Sequence, residues 1–169
     1  RKIDVHTGTA RFTGPGALTV GEEAVAATDI VLATGSAPRL LPGLQIGPRV
    51  ITSDEALQLD HIPASVVVIG AGAVGLEFSS MYRSFGAEVT LLEALPRLAP
   101  LEDEDLSKQI ARAYRRRGIT AAAGASVTSL VEDADGVTVA YEADGSASTV
   151  HAELCLVAVG RGPVTHGLG

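Results

Sequence analysis

Ser65-Val66-Val67-Val68-Ile69 runs directly into Gly70-Ala71-Gly72-Ala73-Val74-Gly75, and this juncture constrains the fold more than any other stretch of the chain. The first segment is apolar and β-branched without alternation, as expected of a parallel strand buried on both faces. After the glycines, Val74, Phe78, Met81, Tyr82 and Phe85 recur at helical spacing and predict one apolar face of an amphipathic helix. Gly86 stands where a C′ glycine ends such a helix. Glu88-Val89-Thr90-Leu91-Leu92 then predicts a second buried strand, closed by Glu93.

Each part of this strand–turn–helix–strand unit has a mechanical purpose. Gly70 permits the tight turn out of the strand, Gly72 lets a pyrophosphate approach the backbone, and Gly75 lets the helix pack closely on the strand. The unpaired N–H groups and positive end of the helix then face the phosphates. Glu93 lies 23 residues after Gly70, where a carboxylate accepts hydrogen bonds from the adenine ribose hydroxyls and repels a 2′-phosphate. The unit therefore predicts a dinucleotide site with a preference for NAD over NADP, and Arg97 is the one nearby cation that argues the other way. Glu77 has two readings that its spacing leaves open. One is a helix acid paired with Arg83, the other a contact at the nicotinamide end.

The remainder of the chain alternates short strands with turns. Ile3 and Val5, Ala10 and Phe12, and Ala17–Val20 predict a small antiparallel meander broken by Gly8, Gly14-Pro15-Gly16 and Gly21. Asp29–Ala33 predicts a buried strand ending in a turn at Thr34-Gly35-Ser36. The prolines and glycines of 38–48 mark a linker, followed by a short helix capped by Ser53 or Asp54 with Leu57 packed inward. A second long helix is expected over 103–117, with Leu106, Ile110, Ala113 and Tyr114 on one face. Its acids come first and Arg112, Arg115, Arg116 and Arg117 last, which suits the helix dipole. Strands follow over 119–122, 126–131, 137–141 and 148–150, with hairpin turns at Asp135-Gly136 and Asp144-Gly145. Leu154–Val159 is the final buried strand.

Composition removes other classes. A net charge of −7 argues against a chain that binds nucleic acid or an anionic membrane surface. One cysteine, Cys155, forms neither an internal disulfide nor a dithiol pair, and its apolar neighbours make it a core residue. The longest uncharged apolar run, 64–76, is 13 residues, short of the roughly 17–25 of a spanning helix. Arg1-Lys2-Ile3-Asp4 has no signal-peptide character, so a cytoplasmic location is expected. His6, His61, His151 and His166 have no metal-ligand spacing, and no metal or catalytic residue is expected.

Three motifs occur in a telling order: Ile30-Val31-Leu32-Ala33-Thr34-Gly35-Ser36-Ala37-Pro38, then Val68 to Phe78, then Leu156-Val157-Ala158-Val159-Gly160-Arg161-Gly162-Pro163. In this the chain resembles the middle of a two-dinucleotide flavoprotein disulfide reductase, the FAD/NAD-linked pyridine nucleotide-disulfide oxidoreductase family. Within it the likeness is greatest to the dihydrolipoamide dehydrogenases. The resemblance implies an α/β fold: a Rossmann-like NAD-binding domain, with a parallel sheet, helices on one face and a β-meander on the other, plus a β-rich flank of an FAD domain. It implies FAD-domain residues 1–45, a linker 46–62, the NAD domain 63–162 and a return to the FAD domain at 163–169.

By position, the resemblance implies NAD contacts from Gly70, Ala71, Gly72, Ala73, Val74, Gly75, Leu76, Glu77, Glu93, Val127 and Gly160. It implies FAD contacts from Ala10, Thr34, Gly35 and Ser36. Val164 replaces the asparagine that many relatives carry there. The implied parent oxidises dihydrolipoamide on lipoyl-carrying proteins, passing electrons through a dithiol and FAD to NAD. It is a homodimer of which this chain is a central, by itself inactive and monomeric, piece. Two other parents stay open: an NADPH-dependent glutathione- or mercuric-type reductase, and a single-cysteine NADH peroxidase or oxidase. A nucleotide-binding module without chemistry is the third alternative.

Overall fold

The computed structural model describes residues 2–169. Their contacts separate into two compact units. One is built from the residues up to Ala37 together with Gly162–Gly169, the other is Pro38–Arg161.

In the first unit the strands are β1 (Ala10–Gly14), β2 (Ala17–Val20) and β3 (Glu23–Ala26), a three-stranded antiparallel meander. Gly16 turns β1 into β2 at φ +69°, and Leu18 pairs with Phe12 on one side and Val25 on the other. The Phe12 N–H donates to the Leu168 carbonyl at 2.6 Å, so the end of the chain is tied to β1. The meander is shifted from the sequence expectation. Ile3 and Val5 belong to no strand and are highly exposed, while Glu23–Ala26, which carries little apolar signal, supplies the third strand. The expected strand Asp29–Ala33 does not form either. Val31 is 89% exposed. An apolar run needs a neighbour to satisfy its backbone, and within this unit no strand lies alongside it. The chain leaves through β4 (Ser36–Pro38).

The second unit begins with β5 (Val50–Ile51) and α1 (Ser53–Ala56). The 46–62 segment is therefore not a linker: Val50 and Ile51 pair with Cys155 and Leu156 at the edge of the main sheet. The unit starts at Pro38 rather than 63. A two-residue strand between Gly47-Pro48 and a helix carries too few residues for any periodicity to show. Thr52, rather than Ser53 or Asp54, caps α1. Its hydroxyl accepts the Asp54 N–H, and the Glu55 carboxylate accepts the Thr52 N–H, a reciprocal capping box. The Thr52 hydroxyl and backbone bonds hold the Glu55 carboxyl below its ordinary range. Ala56 faces inward, whereas Leu57, expected inside, is exposed at the C-cap.

Next come β6 (Ser65–Ile69), α2 (Ala73–Ser84), β7 (Glu88–Glu93), α3 (Glu104–Arg116) and β8 (Thr120–Ala123). They are followed by β9 (Ser126–Glu132), β10 (Val137–Ala143), β11 (Ser146–Ala152), β12 (Leu154–Val157) and, at the crossing out of the unit, β13 (Arg161–Pro163). β5, β12, β6, β7 and β8 lie in that order in one sheet whose pairings are all parallel. β9, β10 and β11 form a separate antiparallel meander.

The uninterrupted apolar run of β6 serves two cores at once. Val66 and Val68 pack with Phe78, Tyr82 and Tyr114 on the helix side. Val67 and Ile69 pack with Val137, Val139 and Ala152 of the meander on the other. Full burial of one such side chain stabilises the fold by roughly 1.5–3 kcal/mol, which is why both faces must be apolar. Helices on one face and the meander on the other agree with the expected architecture.

Gly86 (φ +102°) and Gly118 (φ +76°) follow α2 and α3 in the left-handed region, as their C′ positions require. Phe85, expected in the apolar face, is the exposed C-cap of α2. Leu106 and Ala113 are likewise exposed on α3. Among the described residues no helix is long and apolar enough to cross a membrane.

Candidate functional site

The glycines of the β6–α2 turn divide their work as the sequence predicts. Gly70 has φ +102°, and a Cβ there would meet the Ala158 carbonyl oxygen at 2.5 Å. Gly75 admits no side chain at all, because its Cβ would lie 1.8 Å from the Gly70 carbonyl oxygen. Gly72 is different: nothing lies within 4 Å of the position a Cβ would take, so the backbone there is open to an incoming group. Gly72 is also the N-cap of α2. No side chain caps this helix and no acid sits in its first turn, so its end presents backbone N–H donors.

Glu93 ends β7 beside this turn, and only 7% of its surface is exposed. Its Oε2 accepts the Ala71 N–H at 2.6 Å and its Oε1 accepts the Leu95 N–H at 2.8 Å. A carboxylate has about four acceptor positions, so each oxygen keeps capacity for a hydroxyl donor. The loop after β7 is fastened to the glycine turn a second time, by the Ala99 N–H on the Ala71 carbonyl at 2.9 Å. Ser107 in turn donates to the Ala99 carbonyl.

These elements wall a cleft of about 950 Å³ at the carboxyl ends of β6, β7 and β12. Gly70, Gly72, Ala73, Val74, Leu76, Glu93, Val127 and Gly160 line it. Ala71 and Gly75 are buried beneath and support it. Glu77 is exposed on α2 and is not part of the lining, and Arg83 is not its partner either. The Arg83 guanidinium donates to the carbonyls of Ala87 and Arg117. Ala10, Thr34, Gly35 and Ser36 belong to no part of this cleft. There the Thr34 hydroxyl donates to the Val164 carbonyl, and the Val164 N–H donates to the Gly35 carbonyl. Val164 thus acts through its backbone.

Several lining residues carried no single-residue signal. Leu95, Leu101 and Leu106 are exposed at the rim, and exposed leucines look like any loop or helix leucine in sequence. Arg161 is the single cation among the described lining residues. Its Nη1 lies 3.0 Å from Asp54 Oδ1 and 3.2 Å from Ser53 Oγ. The adjacent Gly160 in the third motif was the available pointer to it.

The competing cation, Arg97, is not part of the cleft lining and donates to the carbonyls of Pro100 and Glu102, both at 3.0 Å. Of the arginines at the end of α3, Arg117 is committed to packing: it ties α3 to α2 through Ser80 and Ser84. Cys155 is fully buried in β12, and burial pushes its thiol up to about 12, so it is chemically inert. His61 does have carboxylate partners, Asp60 at 3.0 Å and Glu153 at 3.4 Å, brought together by the fold. Asp60 and then Glu153 raise its pKa above 6.5.

The arrangement suits a dinucleotide: an open glycine turn at a helix N-terminus, an anchored carboxylate beyond it, and an apolar cleft between. The family model for pyridine nucleotide-disulphide oxidoreductases matches residues 1–169. The chain belongs to this family. Two relatives are a dihydrolipoyl dehydrogenase of Bacillus subtilis, 38% identical over 99% of the chain and 39% of the relative, and dihydrolipoyl dehydrogenase 3 of Pseudomonas putida, 41% identical over 99% of the chain and 38% of the relative. Among solved structures, the HOCl-induced flavoprotein disulfide reductase RclA of Escherichia coli superposes with a TM-score of 0.76 at 30% identity, covering 95% of this chain and 37% of that one. The chain thus spans less than two-fifths of the length of these relatives. Membership of the pyridine nucleotide-disulphide oxidoreductases implies a flavin and a pyridine nucleotide as the family's cofactors.

Proposed function

We propose that Pro38–Arg161 binds NAD(H) in preference to NADP(H), within a parent flavoprotein that oxidises dihydrolipoamide. The observation that carries the preference is Glu93. Its buried carboxylate is held by two backbone N–H groups at the edge of the cleft, where it accepts from ribose hydroxyls and opposes a 2′-phosphate. Arg97, the residue best able to reverse that preference, is not part of the cleft lining and is occupied by the carbonyls of Pro100 and Glu102. An NADPH-dependent glutathione- or mercuric-type parent would need a cation in place of this acid.

In this reading the first turn of α2 holds the pyrophosphate. Leu95 and Val127 flank the adenine end, and Gly160 lies toward the nicotinamide. Arg161, ion-paired with Asp54, is the one cation among the described lining residues and is assigned to the phosphates. A flavin, when bound, would supply the electron chemistry. Ala10, Thr34, Gly35 and Ser36 are the positions of this chain assigned to it. In this reading the parent is a cytoplasmic homodimer that acts on lipoyl-carrying proteins; the relatives' names support the dihydrolipoyl substrate.

The test is a titration of the chain with NADH and NADPH, followed by fluorescence. NADH is expected to bind at least tenfold more tightly. Glu93→Ala should weaken NADH binding by about 1–3 kcal/mol, the range for unpairing buried hydrogen-bonding groups. Equal or tighter binding of NADPH overturns the assignment.

A further inference from the structure

A second depression of about 780 Å³ lies on the opposite face of α3 and shares no lining residue with the cofactor cleft. One wall is β8, the end strand of the parallel sheet, whose only neighbour among the described residues is β7. The other is a stripe of α3 carrying Lys108, Ala111 and Arg115, with Arg97 at one end.

Three observations define what this groove can take. First, β8 has the sequence Thr120-Ala121-Ala122-Ala123, with no charge, proline or bulky side chain. An edge strand leaves a row of N–H and C=O groups on its outer side, and proteins usually blunt such edges with charge, proline or brevity. The opposite edge of the same sheet is blunted by brevity, since β5 has two residues. β8 has no such protection. Second, the groove is basic in a chain of net charge −7. Arg97, Lys108 and Arg115 outnumber Glu104, the one acid among the described lining residues; Lys108 pairs with Glu104 at 2.8 Å and lies 3.6 Å from Asp105, and Arg97 also donates to the carbonyls of Pro100 and Glu102. Third, Leu98, Ala111 and Ile119 give it an apolar floor.

We propose that this groove binds an extended acidic peptide segment, which adds a strand to the free edge of β8 and sets its carboxylates against Arg115, Lys108 and Arg97. Backbone pairing to β8 gives such a segment its grip, and alternate side chains meet the floor and the basic wall. Charge argues against a second copy of this chain as occupant. Two β8 edges paired about a two-fold axis would bring two sets of these cations together.

The probe is a fluorescently labelled, end-blocked heptapeptide alternating valine and glutamate, added to the chain with anisotropy as readout. Saturable binding is expected, with amide shifts confined to Thr120–Ala123 and α3 in NMR spectra. The double variant Lys108→Glu, Arg115→Glu should weaken binding at least tenfold while leaving NADH binding unchanged. N-methylating alternate peptide amides should weaken it by a similar factor with no change in charge. Absence of saturable binding overturns the proposal. So does equal binding of the N-methylated peptide, which would mark a site for anions at large. So does self-association of the chain that the peptide does not compete away.

Discussion

Val66–Ile69 and Ile30–Ala33 are similar strings: short, apolar, β-branched and ending at a glycine turn. Their fates are opposite. Val67 and Val68 have no exposed surface at all and pair with strands on both sides, whereas Val31 and Leu32 stand exposed and unpaired. Composition is nearly the same, so composition does not decide the outcome. What decides it is whether neighbouring strands supply hydrogen bonds and layers supply apolar cover. β6 has β7 and β12 beside it, helices over one face and the meander over the other.

The comparison breaks first under a buried charge. Val68→Asp places an unpaired carboxylate between sheet and helices and should cost more than about 4 kcal/mol, enough to unfold the unit. Val31→Asp should change stability by less than about 0.5 kcal/mol. Chemical denaturation followed by circular dichroism separates the two, and an equal loss from both would refute the contrast. Next in size is Gly75→Ala, whose methyl would sit 1.8 Å from the Gly70 carbonyl oxygen. A cost of about 3 kcal/mol is expected, at the upper end for overpacking, together with loss of NADH binding. Gly72→Ala, with open space around it, should spare stability and reduce binding alone.

A gentler measurement sharpens the same contrast. Backbone amides of 66–69 should exchange with solvent only on global opening, and those of 30–33 within the fastest class. Limited proteolysis should accordingly cut near Val31 before any site within 63–160.

The smallest effect expected is at His61, outside both segments. Its pair with Asp60 raises the histidine above 6.5 and lowers the aspartate below 3.8. The histidine contribution is complete below 6.5 and fades as pH rises through its raised value. The aspartate contribution is complete above 3.8 and fades as pH falls through its lowered value. The pair therefore stabilises fully between 3.8 and 6.5. An NMR titration of His61 should give a midpoint above the ordinary histidine value. Asp60→Asn should bring it down, and an unchanged midpoint would remove the pair from the account.

Much of the sheet unit was legible in the chain itself, because its signals are local. The β-branched run, the three glycines and the helical spacing after them each report on residues within a turn or two of one another. Glu93 could be placed by counting, since one helix and one strand have narrow length ranges. The rim was not legible. Leu95, Leu101 and Leu106 are marked only by where α3 packs, and the Arg161–Asp54 pair joins residues 107 apart in sequence. Glu77 lies beside the motif yet turns to solvent, because a helix of 3.6 residues per turn carries each successive side chain about 100° further round.

By itself, then, the sequence determined the strand–turn–helix–strand unit, the three glycines of its turn, and the acid that closes it. Only the tertiary structure decided that β5 joins the sheet, that Arg161 lines the cleft while Arg97 does not, and that β8 comes last in the sheet order. The physical reason is range. Backbone conformation and periodicity are set by near neighbours, whereas edges, layers and charge pairs are completed by residues far away in the chain.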